Sequence, residues 1–410
     1  MSVDELYRDL HAHPELSFEE TRTAAIAATE LRAAGFDVTE GVGITGVVGV
    51  LRNGEGRTVM LRADMDALPV LEDTGLAYAS TAPGIMHACG HDVHVACLIG
   101  AARELAATRA HWSGTVLAVF QPAEEVGGGA QAMLDDGLYE KVPMPDVVLG
   151  QHVVPAPAGV VGAHPGAAFA SADSLDITVR GRGGHGSRPE TTIDPIVIAA
   201  AIVGRLQTIV SREIAPEATS VVTVGRINAG TKNNIIPESA ELGLSIRAYS
   251  EDVRQRMLAA IERIVRAESA ASGASAASGA SGALEPSIEL AESFPVTVND
   301  PAATERTMAA FRSAFGAEAV IDPGQVSGSE DVGLLATAAN APLVYWILGG
   351  AHAQEYAAAA NAGTIDRDIP SNHSPQFAPE MHPTLDRGVA ALVTAAREWL
   401  RTEAAGSAEG

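Results

Sequence analysis

The sequence has few cysteines, few aromatic residues and few positive charges. Two cysteines in 410 residues exclude a disulfide framework. Lysine and arginine number 27 against 51 aspartates and glutamates, so the formal net charge is −24. A surface this acidic repels phosphate backbones and anionic lipid headgroups. We therefore expect neither nucleic acid nor a membrane as a partner.

Long apolar runs are also missing. No uninterrupted apolar stretch approaches the roughly 20 residues of a membrane span, and residues 1–10 lack the pattern of a secretory signal. We expect a soluble, cytoplasmic protein. Hydrophobic residues make up 47% of the chain and aromatic residues only 4%, so small and branched aliphatic side chains must fill the core. The length exceeds what one hydrophobic core supports, and two domains are expected.

Three short clusters carry the side-chain types that bind divalent metals. They are His-Ala-Cys-Gly-His-Asp at 87–92, Gln-Pro-Ala-Glu-Glu at 121–125 and Gly-Gln-His at 150–152. Cysteine, histidine and carboxylate are the usual ligands of zinc and related ions, and a catalytic site also leaves one position open for water. The clusters therefore predict a metal site, and a hydrolytic one.

The second and third clusters each follow a short apolar run, at 116–120 and 147–149, of the kind found in buried strands. Ligands in an open α/β sheet gather just outside the carboxyl ends of the strands. We therefore expect Glu124, Glu125 and His152 to lie on one rim of a sheet.

The pattern of the first part of the chain predicts alternating helices and strands. The helices are expected at 3–10, 21–34 and 92–105. Strands at 47–51 and 58–61 are expected to form a hairpin around the turn signal Asn53-Gly54.

A second group of elements follows a boundary expected near 168–174. Its strands are predicted at 174–180, 219–227, 240–248 and 287–290, and its helices begin at Asp194-Pro195 and Asp252. The Ala/Ser/Gly-rich segment 270–282 is expected to be a flexible loop.

Several motifs run in a fixed order through nearly the whole chain. Besides the Cys89 and Glu124-Glu125 clusters, they are Leu-His-Ala-His-Pro-Glu at 10–15, Arg-Ala-Asp-Met-Asp-Ala-Leu-Pro at 62–69, Gly-His-Gly-Ser at 184–187, Asn-Ile-Ile-Pro at 234–237, Ser-Glu-Asp at 329–331 and Asn-His-Ser-Pro at 372–375. The ordered set resembles the amidohydrolase branch of the aminoacylase/carboxypeptidase metallopeptidase family, which includes hippurate hydrolases and auxin-conjugate hydrolases.

The resemblance implies an α/β catalytic domain whose mostly parallel, mixed sheet is flanked by helices. Residues 1–172 and 291–410 would form this domain, and a smaller two-layer α+β lid or dimerisation domain at 173–290 would interrupt it. A homodimer through the lid domain is implied as well.

The resemblance also implies the metal ligands, which are Cys89, His91, Glu125, His152 and His373. Glu124 is the implied general base, because adjacent side chains point in different directions and one glutamate can bind metal while its neighbour faces the water. A bound ion lowers the pKa of its water to about 7. One or two divalent ions are expected, with zinc or manganese favoured and cobalt or nickel as alternatives.

Three further residues have implied roles at the substrate. His185 would stabilise the oxyanion, from its own subunit or from the partner subunit. Asn234 would lie near the substrate, with Asn233 as the alternative register. Arg247 would grip a free carboxylate in bidentate fashion, and a plain surface cation is the alternative.

Other titratable residues have simpler explanations. Asp64, Asp92 and His94 are predicted either to orient the ligands or to serve in capping and packing. His11 is expected to be structural rather than a ligand. Cys97 lies in an apolar run and is expected to be a small buried hydrophobe.

Two hypotheses from other classes compete. Residues 181–186 formally match Gly-x-Gly-x-x-Gly, which points to a dinucleotide-dependent oxidoreductase. That fingerprint needs a helix to open within the glycines, whereas Pro189 and Asp194-Pro195 postpone the helix. A non-catalytic binder of the same fold should lack the base or a ligand, and the set above is complete.

We therefore predict a metal-dependent amidohydrolase. Its substrate is a small N-acyl amino acid, which it splits into a carboxylic acid and a free amino acid. A metallo-dipeptidase or carboxypeptidase that uses the same site is the alternative.

Overall fold

A computed structural model describes residues 1–274 and 284–400, and it divides the chain into two compact units. The first unit comprises Met1–Ala168, Val298–Gln325 and the chain from Asp331 onward, and the second comprises Phe169–Thr297 and Val326–Glu330. The expected limits of the inserted domain, 173 and 290, both fall inside the second unit. The short return at 326–330 includes part of the Ser-Glu-Asp motif, which gives no sign of a change of unit.

The elements are numbered in chain order. The strands are β1 Asp37–Val42, β2 Gly46–Asn53, β3 Thr58–Asp64, β4 Gly114–Gln121, β5 Val147–Pro157, β6 Val161–Gly162, β7 Gly166–Phe169, β8 Ser171–Arg180, β9 Gly184–His185, β10 Ser220–Ala229, β11 Ile235–Ile236, β12 Ser239–Ala248, β13 Ser287–Phe294, β14 Thr297–Asn299, β15 Val320–Ile321 and β16 Leu343–Ala351. The α-helices are α1 Val3–Ala12, α2 Thr21–Ala33, α3 His91–Ala107, α4 Gly129–Asp135, α5 Leu138–Lys141, α6 Pro195–Thr208, α7 Glu251–Ala271, α8 Pro301–Phe315, α9 Val332–Ala339, α10 Ala353–Ala362, α11 Ile365–Asp368 and α12 Met381–Leu400.

The first unit is built on an eight-stranded sheet with the order β1-β2-β4-β3-β5-β16-β6-β15. Four of its seven pairings are parallel and three are antiparallel. The prediction of a mostly parallel, mixed sheet is confirmed. Helices α3 and α12 pack on the central strands, and α3 is buried along most of its length, as a helix with apolar residues all round must be.

The predicted hairpin of β2 with β3 is wrong. Strand β4 lies between them, antiparallel to β2 and parallel to β3. Both strands are buried along most of their length, and each has a neighbour on either side: β1 and β4 flank β2, and β4 and β5 flank β3. The hairpin partner of β2 is β1, through a turn at 43–45.

The second unit has a four-stranded antiparallel sheet with the order β10-β12-β8-β13. Buried residues alternate along β8, and its apolar side chains join those of α6 and α7 in a separate core. The two-layer α+β prediction is confirmed. Asp194 caps α6 by accepting from the backbone N–H of Ile196, at the helix start that the sequence predicts.

Residues 181–186 do not open a helix. Gly184 and His185 form the short strand β9, and α6 starts only at Pro195, so the geometry of a dinucleotide fingerprint is missing from this described segment. The loop predicted at 270–282 overlaps the end of α7 at Ala271, and its part from 275 lies outside the described residues.

Among the described helices, α6 with its continuation to Glu213 is long and apolar enough for a membrane span, by length and composition alone. The segment is not an uninterrupted apolar run, because it contains Arg205 and Arg212. The side chains of Ile198, Ile202 and Leu206 pack in the core of the second unit, which explains the apolar composition.

Candidate metal centre

The parallel strands β3, β4 and β5 bring their carboxyl ends to one rim of the sheet. Asp64 at the end of β3 pairs with Gln121 at the end of β4, and Glu124 and Glu125 follow directly. His152 is a small departure from the expectation, because it lies within β5 rather than beyond its end. Strand β5 outlasts its apolar run because it continues to pair with β16.

The five predicted ligands come together at this rim. The Sγ of Cys89 lies 3.5 Å from Nε2 of His152, and Nε2 of His373 lies 3.4 Å from Oε2 of Glu125. Nε2 of His91 is 3.9 Å from the carboxylates of both Glu124 and Glu125. Three overlapping groups of these side chains each hold their ligand atoms within 4.8 Å of one another.

The donor set fits a divalent metal. Among the described residues, Nε2 of His91 and Oε1 of Glu125 are buried without a hydrogen-bond partner. Buried polar atoms of native proteins are almost always satisfied, so two such atoms that face each other mark the place of a further group. Thiolate, imidazole and carboxylate donors suit zinc and related ions.

Hydrogen bonds fix which nitrogen of each histidine is presented. Nδ1 of His91 donates to Oδ1 of Asp66 over 3.2 Å, and Nδ1 of His152 donates to the carbonyl of Val153 over 2.8 Å. Both rings therefore turn Nε2 towards the site, which is the arrangement that outer partners impose on metal-binding histidines. Asp66, which the sequence analysis did not single out, also accepts the backbone N–H of Glu125.

Both ring nitrogens of His94 are engaged in hydrogen bonds. The backbone N–H of Val153 donates to its Nε2 over 2.8 Å, so its proton is on Nδ1, which donates to Asp64 over 2.5 Å. Asp64 in turn pairs with Arg62 over 2.6 Å. Asp92 accepts from Nδ1 of His11 over 2.6 Å, which makes His11 a buried structural residue, as predicted.

Two residues with positive φ shape the backbone beside Cys89 and at His373. Gly90 precedes α3 with φ of 79°, and a Cβ there would lie 2.3 Å from Cγ1 of Val153, so only glycine fits. His373 has φ of 69° and donates its backbone N–H to Ala88. The amide of Asn372 donates to the carbonyls of Cys89 and Val153. Asn372 had no predicted role, although its place beside His373 in the last motif is a signal that could have indicated one.

The electrostatics favour a cation. Burial raises the pKa of Glu125 to about 7, and the charge of Asp66 adds to this while His91 opposes it. Burial and the charge of Glu125 raise the pKa of the Cys89 thiol. The pKa of His91 is raised because Asp64 and Asp66 outweigh its burial. Metal ligands bind in their deprotonated forms, so a metal ion held by these groups would release protons on binding.

The other two histidines of the cluster have lowered pKa values. Burial and the neighbouring His94 lower the pKa of His152, and burial and His91 lower that of His373. Both shifts favour the neutral imidazole, which is the form that binds metal. Cys97 is fully buried in α3, as predicted.

The three predicted substrate residues all belong to the second unit. His185 is exposed and pairs with Ile235 across the β9-β11 ribbon, and the backbone N–H of Gly186 donates to the carbonyl of Asn234. Arg247 lies on β12 and donates from Nη1 to the carbonyl of Ser327 over 2.7 Å. His185 and Asn234 are thus neighbours, while Arg247 occupies a different part of the unit.

A model of peptidase family M20/M25/M40 matches residues 60–371, which is more than half of the chain. The chain belongs to peptidase family M20/M25/M40. The predicted resemblance is thereby confirmed. The chain is a metal-dependent hydrolase of amide bonds, and its cofactor is a divalent metal.

Individual members of the M20/M25/M40 family match over most of their length. The hippurate hydrolase of Campylobacter jejuni is 40% identical over 315 residues, which are 76% of this chain and 79% of that protein. Thermostable carboxypeptidase 1 of Saccharolobus solfataricus is 39% identical over 352 residues, 85% of each chain. A dinuclear metal-binding M20 peptidase from Bacillus subtilis has a solved structure with a TM-score of 0.75 at 28% identity, covering 97% of this chain and 96% of that chain.

Proposed function

We propose that this M20/M25/M40 member hydrolyses N-acyl amino acids to a carboxylic acid and a free amino acid. The observation that carries the proposal is the convergence of Cys89, His91, Glu125, His152 and His373 beside Glu124. We assign the first five as metal ligands. The similarity to a hippurate hydrolase supports the acyl amino acid as the substrate class.

Glu124 is the proposed general base. Its side chain is almost fully buried, and the residue lies in the turn after β4, next to Glu125. Its carboxylate takes a proton from the attacking water as the water oxygen bonds to the carbonyl carbon, and it returns that proton to the amide nitrogen as the C–N bond breaks. A bound divalent ion supplies Lewis-acid polarisation of the carbonyl and acidification of water.

His185 is the proposed oxyanion donor. The backbone N–H of Ser187 donates to Nδ1 of His185 over 3.1 Å, which places the proton of the neutral ring on Nε2. This N–H can donate to the oxyanion that develops as water attacks. Asn234 and Arg247 are proposed to contact the substrate. The guanidinium of Arg247 would bind the free carboxylate of the substrate.

We further propose that the second unit serves as a lid and as the site of homodimerisation. Strand β10 is an edge of the four-stranded sheet and exposes Val221 and Ile227. Helix α6 exposes Ile196 and Val197. Exposed apolar side chains on an open edge favour pairing with a second copy. Sedimentation of the wild type and of Val221→Lys tests this, and a monomeric wild type contradicts it.

A metallo-dipeptidase or carboxypeptidase is the second candidate. The similarity to a thermostable carboxypeptidase favours it, and it would use the same metal centre and base. Comparison of N-acetyl and N-benzoyl amino acids with dipeptides decides between the two.

Zinc and manganese are the ions we favour, with cobalt and nickel as alternatives, because thiolate ligation suits soft ions and availability often selects among them. A cytoplasmic location stays a prediction.

The variant Glu124→Ala tests the assignment of the base. We expect it to bind as much zinc or manganese as the wild type, since the five ligands remain, and to lose turnover. Cys89→Ala is the matched variant, because it should lose both metal affinity and turnover. Full activity of Glu124→Ala would remove Glu124 as the base.

A further inference from the structure

Glu20 is a fully buried carboxylate immediately before α2. A carboxylate at a helix start usually caps that helix, yet Glu20 makes no side-chain cap hydrogen bond within the described part of the chain. Its Oε1 instead accepts the backbone N–H of Ala123 over 2.8 Å, from 103 residues away. Its Oε2 accepts the hydroxyl of Thr45 over 2.5 Å. Glu20 therefore joins the N-terminal segment to the turn that follows β4.

Oε1 of Glu20 accepts hydrogen bonds from two residues whose backbone is left-handed. Ala123 has φ of 48° and Phe18 has φ of 64°, a region that side chains other than glycine rarely adopt. Both donate their backbone N–H to Oε1 of Glu20, Phe18 over 2.9 Å. Such conformations persist where the surroundings fix them, and they cluster at functional sites.

A second carboxylate holds the other side of the turn. The backbone N–H of Glu125 donates to Oδ2 of Asp66 over 3.0 Å, and the hydroxyl of Ser17 donates to the same oxygen over 2.7 Å. The carbonyl of Ala123 accepts from Gly129, which closes the turn. The backbone on both sides of Glu124 is thus fixed by carboxylates that also hold the segment around residue 18.

We propose that Glu20 is a positioning residue that fixes the backbone of Ala123 and so aims the side chains of Glu124 and Glu125 at the metal centre. The inference rests on the roles proposed above for these two glutamates. Ligand geometry tolerates only small errors, and groups that orient ligands typically contribute about 10- to 100-fold to metal affinity or activity. The left-handed turn at Ala123 sets the direction of the next two side chains, so its loss misplaces a ligand and the base together.

The experiment compares Glu20→Gln with Glu20→Asp. Glutamine keeps the length and an oxygen that accepts both N–H groups, while its amide can donate to Thr45. Aspartate keeps the charge but is one methylene shorter. We expect Glu20→Asp to weaken zinc binding by about 10-fold or more, measured by competition with a chromophoric chelator, and Glu20→Gln to stay close to the wild type. With saturating zinc, kcat of Glu20→Asp should fall similarly while KM is retained.

Two control variants separate positioning from general destabilisation. Glu15 accepts hydrogen bonds from Thr21, Arg22 and Thr23 and so caps α2, and within the described chain its side chain makes no hydrogen bond to the Ala123 turn. Glu15→Ala should lower the melting temperature yet keep the zinc affinity of the folded protein. Thr45→Val removes the donor on the other oxygen of Glu20 and should also leave zinc affinity unchanged.

Three results would overturn the role of Glu20. The first is a zinc affinity and a kcat of Glu20→Asp that equal those of the wild type. The second is a loss of zinc affinity in Glu20→Gln as large as that in Glu20→Asp. The third is an equally large loss of zinc affinity in Glu15→Ala. Zinc affinity is measured without substrate. If the wild-type protein binds zinc but hydrolyses no N-acyl amino acid, the proposed function fails while the zinc series still decides the role of Glu20.

Discussion

Replacing Arg62 with methionine should strongly destabilise the first unit. The Arg62 side chain is fully buried, with Nη1 at 2.6 Å from Asp64 and Nη2 at 3.2 Å from Asp331, and both carboxylates are fully buried too. Its Nε also donates to Gln121 over 2.9 Å. Methionine removes the buried arginine charge that these two carboxylates share, and removal of one partner from a buried ion pair typically costs about 3–5 kcal/mol. That is a large share of the roughly 5–15 kcal/mol by which domains are stable.

Tryptophan fluorescence during urea unfolding measures this change. The three tryptophans of the chain, Trp112, Trp346 and Trp399, are buried in the first unit, so their signal follows that unit alone. A chelator should be present, because metal binding would otherwise add its own stabilisation. With a slope near 3 kcal/mol per molar urea, the unfolding midpoint should fall by roughly 1 M or more.

The control is Arg52→Met. Arg52 lies on β2 of the same unit and pairs with Asp37 over 3.3 Å, but both side chains are mostly exposed. Exposed pairs contribute about 0–1 kcal/mol, so this variant should unfold close to the wild type. If Arg62→Met costs no more than Arg52→Met, the reasoning about buried charge is refuted.

Two further predictions concern the surroundings of the site. The pKa of His11 is raised to about 10 because Asp92 outweighs its burial, so its stabilisation is complete below the unfolded value of 6.5 and is lost as pH rises through about 10. The free energy of unfolding in urea, measured with chelator, should therefore fall over this pH range in the wild type by up to about 1.4 kcal/mol per pH unit more than in His11→Gln. Plots of this free energy against pH that run parallel for the two proteins would contradict the prediction. Gly90→Ala should lose stability and zinc affinity through strain and the clash with Val153, whereas Gly84→Ala, with φ of 78° and no atom within 4 Å, should show only the strain cost of about 1–3 kcal/mol. Equal stability of the two alanine variants would show that the clash is absent.

The sequence predicts the ligand types and the rim because both depend on local patterns. Short apolar runs end at Gln121 and before Gly150, which marks the ends of two strands. The ligand types around Cys89 are adjacent in the chain, so they can be recognised without the fold. Helix α3 was predicted for the same reason, since its apolar residues and its start at the Cys89 turn are contiguous.

The parts that sequence did not predict depend on contacts between distant residues. Strand β4 lies between β2 and β3, and no feature of the Asn53-Gly54 turn indicates that a strand from later in the chain pairs with both. The contact of Glu20 with Ala123 joins residues 103 positions apart, and a glutamate before a helix has a simpler local explanation. Asp66 belongs to a recognised motif, but its link to His91 and Glu125 becomes visible only in three dimensions.

The most direct measurement is the release of free amino acid from N-acetyl, N-benzoyl and indole-acyl amino acids and from dipeptides, with chelator and with added zinc or manganese. The account predicts hydrolysis of at least one N-acyl amino acid that the chelator stops and metal restores. A metal-loaded, folded protein that leaves every N-acyl amino acid intact while it cleaves dipeptides would contradict the proposed substrate class, and hydrolysis that survives the chelator would contradict the proposed metal centre.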